Sequence, residues 1–392
     1  MIEEVPQGDE ESLADDIFVS EVYEASKPLK KNFFAWHRPR KQFVRHYQWC
    51  EQLNNLLDSV AADGRTLKYL GLPGDDLLDL RYFHDQVCVN KNVILKFLGF
   101  NKGANSGSDA QTELNISLDE VRRLEKVDPS SDVIADDFCG VADIRSMAWK
   151  QAKAYGPYDV INIDLCNGFA LHKPDKVKNT HYVAMGQLLA LQSKRKEPWL
   201  LFLTTRTRRE DVDEDALERL VKKYLENLAE CPAFQAASDD VMSIPDETAL
   251  RNAMDTSDGH LNVFLVGLSK WLIGLAVAQS PPSIVEVKSA IGYRVDPGSD
   301  HDDLVSIALR FDPTFEPPAD AVGLLGAQDT EANECVLATK AVKRLRTEKR
   351  VNADDALAGN HKLYDEMCES TADLLELARY DRSAYYAWLA AD

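Results

Sequence analysis

The sequence predicts an α/β fold: a mostly parallel sheet with a terminal antiparallel hairpin, a helical N-terminal arm before it and a helical C-terminal module after it. Three observations carry this. Between residues 65 and 312, short continuous apolar runs alternate with helix-period segments, the pattern of strands covered on both faces. The last two runs are separated only by "DPGSDHD", which suits a hairpin rather than a crossover. With 392 residues, 45% apolar and 28% charged, the chain has ample material for such a core.

In chain order, residues 1–26 hold nine acids and no Lys or Arg, which predicts a disordered acidic tail. The sign then reverses: 27–45, "KPLKKNFFAWHRPRKQFVR", has seven Lys/Arg and no acid. A helix is expected from Pro39, which tolerates a first-turn position. Phe43, Tyr47, Cys50, Leu53, Leu57 and Val60 would form its apolar face, with Arg38, Lys41, Arg45, Gln48 and Gln52 on another. Gly64 would end this basic aromatic arm (27–64). Strands follow at 67–72, 93–100, 132–138, 158–165 and 199–205, with helices over 76–87, 118–126, 143–155 and 182–194 between them. The hairpin strands are 283–295 and 303–311. A Pro-rich linker, 313–330, leads to a region, 331–392, that reads as helical throughout.

Composition narrows the function. A net charge of −20 and a pI near 4.9 argue against indiscriminate nucleic-acid binding. The seven cysteines are scattered without a C-x-x-C pair, and the eight histidines without ligand spacing, so reduced thiols, a cytoplasmic setting and no metal are expected. The acidic N-terminus lacks an apolar signal core. Residues 261–279 approach membrane-spanning length, but a central Lys270 and the following Pro281 and Pro282 favour a buried core helix.

The first predicted strand ends in "GLPGDD". A phosphate loop would carry GK[ST] there; Asp75 and Asp76 would instead repel an anion and suit a cationic or zwitterionic ligand. An ordinary tight turn with an Asp cap fits the same letters. The strand order, with Tyr69-Leu70-Gly71-Leu72-Pro73-Gly74, resembles class I S-adenosylmethionine-dependent methyltransferases, a Rossmann-like superfamily whose loop is sometimes written D-L-G-x-P-G. The resemblance spans roughly residues 65–312. It implies S-adenosylmethionine as cofactor, with Gly71 and Gly74 in the loop. Asn101 would stand where an acid holds the ribose, and Asp136 and Asp137 where the adenine is met. Tyr69 replaces the family's first acid.

"YDVINIDLCNGF" (158–169) resembles the strand and loop of base-directed methyltransferases, and implies Asp164, Asn167 and Phe169 as acceptor-polarising and stacking residues. Both prolines of that motif are absent, and a strand-ending acid is common in any doubly wound sheet. Cys166 lacks the preceding Pro of a pyrimidine-attacking thiolate and reads as a small packed thiol. Aromatics interleave with cations in the arm, and Trp36, Arg38, Arg40, Lys41 and Arg45, joined by Arg206 and Arg208 after the fifth strand, suit a single strand or flipped base. Pairing with the chain's own carboxylates or with a protein partner fits equally. The expected function is methyl transfer to a nucleic-acid base. The alternative is a degenerate, methyltransferase-like binding subunit of a multiprotein complex, in a setting such as bacterial antiviral defence. Leu363, Met367, Leu374, Leu375 and Leu377 would then offer a C-terminal partner surface.

Overall fold

A computed structural model describes residues 29–103, 108–296, 299, 301–314 and 332–391; the acidic tail and most of the 313–330 linker lie outside them. After the strand-like arm, α1 (Pro39–Val44), a π-helical stretch (Arg45–Cys50) and α2 (Glu51–Asp58) run on without a break. Then come β1 (Thr66–Gly71), α3 (Leu78–Phe83), β2 (Ile94–Phe100), α4 (Asp109–Arg122), β3 (Asp132–Ile134), α5 (Met147–Tyr155) and β4 (Val160–Asp164). The chain continues through α6 (His181–Gln192), β5 (Trp199–Arg206), α7 (Glu214–Glu230), α8 (Pro232–Met242), α9 (Glu247–Ala253) and α10 (Ser257–Val277). The hairpin strands are β6 (Ser283–Tyr293) and β7 (Leu304–Pro313). Last are α11 (Glu334–Lys343), β8 (Arg350–Asn352), α12 (Ala353–Ala358), α13 (His361–Leu377) and α14 (Arg382–Ala390).

The strands form one sheet in the order β3-β2-β1-β4-β5-β7-β6-β8. The first five are parallel, and β7 runs antiparallel to both β5 and β6. This is a Rossmann-like, methyltransferase-type sheet. The addition is β8, parallel to β6, in a region whose sequence reads as helix. Three residues carry too little periodicity to be seen.

Two apolar cores lie on the two faces of the sheet. One joins Leu70, Ile161, Ile163 and Leu201 to α5, α6, α7 and α10. The other joins Leu67, Phe97, Val160 and Phe202 to the arm helices, α3, α4, α13 and α14. The long apolar α10 is a core helix, mostly buried, with its Lys270 ammonium 3.1 Å from Glu334. One expectation needs correcting: Cys231 and Cys335, 104 residues apart, form a disulfide between the start of α8 and α11.

The arm helix is buried on both sides. Phe43, Cys50, Leu53 and Leu57 are buried as expected, but so are Lys41, Arg45, Gln48 and Gln52, expected on the polar face. The sheet lies against one side and the C-terminal helices against the other. Gln48 donates to the Ser306 carbonyl at 2.9 Å, and the Trp49 indole to the Ser306 hydroxyl at 3.2 Å. On the far side Gln42 donates to the Ser370 hydroxyl at 2.9 Å. Met367, Leu374 and Leu375, expected to face a partner, are buried in this same core, and Leu377 is exposed.

The C-terminal helices clasp the strand-like part of the arm. Lys30 N–H donates to the Arg379 carbonyl at 2.8 Å, and Asp381 N–H returns to the Lys30 carbonyl at 3.0 Å. The Phe33 ring sits 5.4–5.5 Å from those of Tyr380, Tyr385 and Trp388. His37 closes the clasp: it is wholly buried, Tyr385 donates to its carbonyl at 3.0 Å, and its Nδ1 accepts Phe34 N–H at 3.3 Å. Burial pushes its pKa down to about 3, against Asp76, which favours the cation; Arg45 and Lys30 add to the depression.

This depression has a definite sign. The unfolded imidazole takes a proton near its ordinary value of 6.5, and the folded one does not until about 3. Stability is therefore complete above the upper value and falls as pH drops toward the lower, by up to ~1.4 kcal/mol per pH unit from this residue. Urea midpoints between those two pH values should fall more steeply for the parent than for His37→Gln; parallel slopes would show that this imidazole is not the acid-sensitive group.

Candidate functional site

A cleft of about 1180 Å³ opens at the carboxyl ends of β1, β2 and β4, and the arm residues Leu29, Phe34 and Trp36 form one wall. It lies where the strand order reverses between β1 and β4, the place where open α/β sheets bind ligands.

The loop after β1 forms the floor. Tyr69, 2% exposed, folds its ring against Gly71 so closely that a Cβ there would lie 2.6 Å from the ring. Gly71 is thus needed for packing inside the chain, and it does not line the cleft. Gly74 does line it, and a Cβ at Gly74 would meet nothing within 4 Å. Leu77 ends the loop with φ 52, a left-handed conformation costly for a branched side chain, held by complete burial of that side chain.

The two aspartates have separate tasks. Asp76 accepts from the Lys30 ammonium and, at 2.7 Å, from the Tyr380 hydroxyl, so it ties the loop to the arm and to the C-terminal helices. Asp75 accepts from the Asn101 amide at 2.8 Å. Its carboxyl is raised above the usual range, chiefly by burial, with Asn101 opposing. Asn101 also donates to the Pro73 carbonyl at 3.1 Å and thereby latches the loop to the end of β2.

Past β3, Asp137 lines the cleft; Asp136 does not, and it accepts Asp137 N–H at 2.7 Å. Burial would raise the Asp137 carboxyl. The Lys102 ammonium at 2.7 Å and Cys139 N–H at 2.9 Å outweigh it and hold the pKa below the ordinary value.

At the end of β4, the Asp164 carboxylate meets the Lys41 ammonium at 2.6 Å. Lys41 is 4% exposed, with its ammonium 4.5 Å from the centre of the Trp49 ring and 3.5 Å from the Tyr293 hydroxyl. Burial alone would lower its pKa, but Asp164 and Tyr293 reverse the sign and it stays protonated. One turn on, Arg45 pairs with Asp79 at 2.6 Å, both largely buried, and both line the cleft. Asn167 lines the cleft and is exposed, while Phe169 is fully buried, stacked on His181 at 5.7 Å and beside Trp271.

Of the residues singled out in the sequence, the cleft gathers Trp36, Arg45, Gly74, Asp75, Asp76, Asn101, Asp137, Asp164, Cys166 and Asn167. Four of the cations sit elsewhere. Arg38 lies 4.0 Å over the Trp388 ring, and Arg40 pairs with Asp354 at 3.3 Å. Arg206 pairs with Asp303 at 3.2 Å, and Arg208 with Asp211 at 2.8 Å and Asp296 at 3.1 Å. Arg40, Arg206 and Arg208 thus meet the chain's own carboxylates. Lys30, Phe34, Asp79 and Tyr380 also line the cleft. The aromatic interleaving marked Phe34, whereas nothing in the local sequence marks Tyr380, which comes from the far end of the chain.

A family profile described as PP_RS20740-like matches residues 30–390, and the chain belongs to that family. No curated protein matches it. Among solved structures it is similar to a chain from Listeria monocytogenes described as a candidate class I S-adenosylmethionine-dependent methyltransferase. The identity is 13% and the TM-score 0.34, over 74% of this chain and 72% of that one.

The pairing at β4 has a measurable consequence. Asp164→Asn leaves the Lys41 ammonium buried without its counter-charge, and should cost about 3–5 kcal/mol in chemical unfolding. Adding Lys41→Met should recover most of that loss. An Asp164→Asn protein as stable as the parent would show that the pair does not hold the arm.

Proposed function

We propose that this PP_RS20740-like protein is an S-adenosylmethionine-dependent methyltransferase that seats its cofactor in the cleft above β1, β2 and β4. One observation carries the reading. The cleft stands at the reversal point of a methyltransferase-type sheet and, among its described lining residues, holds seven carboxylates against four Lys or Arg. That balance favours a ligand with positive charge over a nucleoside triphosphate.

The residues fit such a cofactor in three respects. Gly74 is bare and exposed on the floor, where a nucleoside amino acid can approach the backbone. Asp75, whose carboxyl burial raises so that a cationic neighbour would be needed to keep it ionised, faces the same space. Asp137 waits past β3 as an acceptor for an adenine amino group. The cofactor supplies an electrophilic methyl group on a sulfonium. Asp164 and Asn167, at the end of β4, offer oxygens that accept hydrogen bonds from an acceptor amine and orient it. Lys41 positions Asp164 through the 2.6 Å ion pair.

A nucleic-acid base as acceptor draws less support. Its expected phosphate contacts, Arg38, Arg40, Lys41, Arg45, Arg206 and Arg208, are engaged within the chain. A second reading is a non-catalytic binding subunit of a larger assembly, the antiviral setting included. It is favoured by Tyr69 in place of an acid, and by an Asn101 amide already committed to the loop.

The test uses Gly74, since a change at Gly71 would strike Tyr69 and disturb the sheet. Calorimetry should detect S-adenosylmethionine and S-adenosylhomocysteine binding to the parent. Gly74→Leu should weaken it at least about tenfold, with an unchanged melting temperature. No heat with the folded parent would sink the cofactor assignment. Binding without transfer of labelled methyl to any small-molecule, nucleic-acid or protein acceptor would favour the non-catalytic reading.

A further inference from the structure

The arm presents an aromatic platform to the cleft. Phe34 and Trp36 are stacked on each other, with ring centroids 4.7 Å apart and planes 13° from parallel. Each remains about half exposed, 46% and 44%, although their neighbours Phe33 and His37 are tucked into the clasp. Leu29 and Leu171, also exposed, line the same cleft. Apolar groups gathered at a concave mouth, away from the protein's own core, mark a binding surface more than a packing remainder.

The platform is held in place. Phe34 N–H is bonded to His37 Nδ1, and the Trp36 carbonyl accepts from the Arg45 guanidinium at 3.5 Å. Phe33, between them and the C-terminal helices, anchors the strand in a nest of three rings. Little ordering is left for a ligand to impose.

Charge decides what kind of ring would lie there. The four cations among the described lining residues already have acidic partners: Lys30 with Asp76 and Glu113, Lys31 with Asp381, Lys102 with Asp137, Arg45 with Asp79. With carboxylates in excess along the lining, a phosphate or sulfonate would be repelled, and the electron-rich face of an indole attracts positive charge.

We propose that Phe34 and Trp36 form the subsite for a small planar nitrogen heteroaromatic ligand, cationic or uncharged. Naming this ligand as the methyl acceptor rests on the methyltransferase reading; its binding does not. The carboxylates that exclude anions admit the cofactor's cation into the same cleft, so both ligands obey one electrostatic filter.

Calorimetry on the full chain near neutral pH tests this with three probes of one ring system: N-methylquinolinium, quinoline and a quinoline sulfonate. A short single-stranded oligonucleotide is the fourth. The quinolinium should bind most tightly and the sulfonate at least about tenfold more weakly. Trp36→Ala should weaken quinolinium binding by about tenfold, Trp36→Phe should restore most of it, and neither should shift the melting temperature. S-adenosylhomocysteine, titrated into the same variants, should be indifferent to them. Quinolinium binding without S-adenosylhomocysteine binding would keep the platform and remove the methyltransferase. The reverse result, an oligonucleotide or sulfonate that binds as well as the quinolinium, or a Trp36→Ala protein that binds it unchanged, would overturn the proposal.

Discussion

The Lys41–Asp164 pair is the contact on which the shape of the site depends. It joins the N-terminal arm to the end of β4, inside the protein and at the edge of the cleft. A buried ammonium is tolerated only beside a counter-charge, so the arm helix has one rotation in which it can lie on the sheet. In that rotation Arg45 meets Asp79, and Gln48 and Trp49 reach Ser306 on β7. The strand-like residues before the helix are then carried over the loop after β1. The wall of the cleft is thus a consequence of where one cation could be buried.

This also explains how an acidic chain uses the basic stretch near its N-terminus. Seven Lys/Arg between residues 27 and 45 look like a surface for an external anion. The anions that meet most of the described ones are internal: Asp76 and Glu113 for Lys30, Asp381 for Lys31, Asp354 for Arg40, Asp164 for Lys41 and Asp79 for Arg45. These acids come from the first loop, α3, α4, the fourth strand and the C-terminal helices. Charge reversal along the sequence therefore reports folding back of the arm at least as readily as it reports a polymer. From the interleaved pattern Phe34 and Trp36 are left to face the cleft.

The sheet was legible because its signal is local and repeated. Each strand through β7 announced itself as an apolar run within a residue or two at its start, and the hairpin came from one short connection. The burial of the arm helix was not legible. A helix with one apolar and one polar face normally has a wet side, and nothing within residues 39–58 says that α13 and α14 will cover it. The same non-locality hid the roles of Tyr380 and of the Cys231–Cys335 bond, whose partners lie hundreds or about a hundred residues away. At the candidate site, Gly74, Asn101, Asp137, Asp164 and Asn167, picked out in the sequence, line one cleft. It could not tell which side chains face the cleft and which brace it. Asn101 does both, since it lines the space while its amide holds the loop.

The aspartate pair after β1 shows why that distinction matters. Two adjacent carboxylates at the entrance of a small-molecule cleft would repel each other if both were left bare, at a cost that rises as water is excluded. The structure relieves this by giving them different neighbours. Asp76 is neutralised by Lys30 and the Tyr380 hydroxyl, and so becomes the pin that fastens arm, loop and C-terminal helices together. Asp75 keeps only the uncharged Asn101 amide, and burial raises its carboxyl. Of the two acids, one is thus left facing the cleft beside a neutral donor, while the other is bound to the device that keeps the wall in place. A ligand cation that approached Asp76 would have to displace a bonded ammonium; one that approached Asp75 would meet a carboxyl whose hydrogen-bond donor is an uncharged amide.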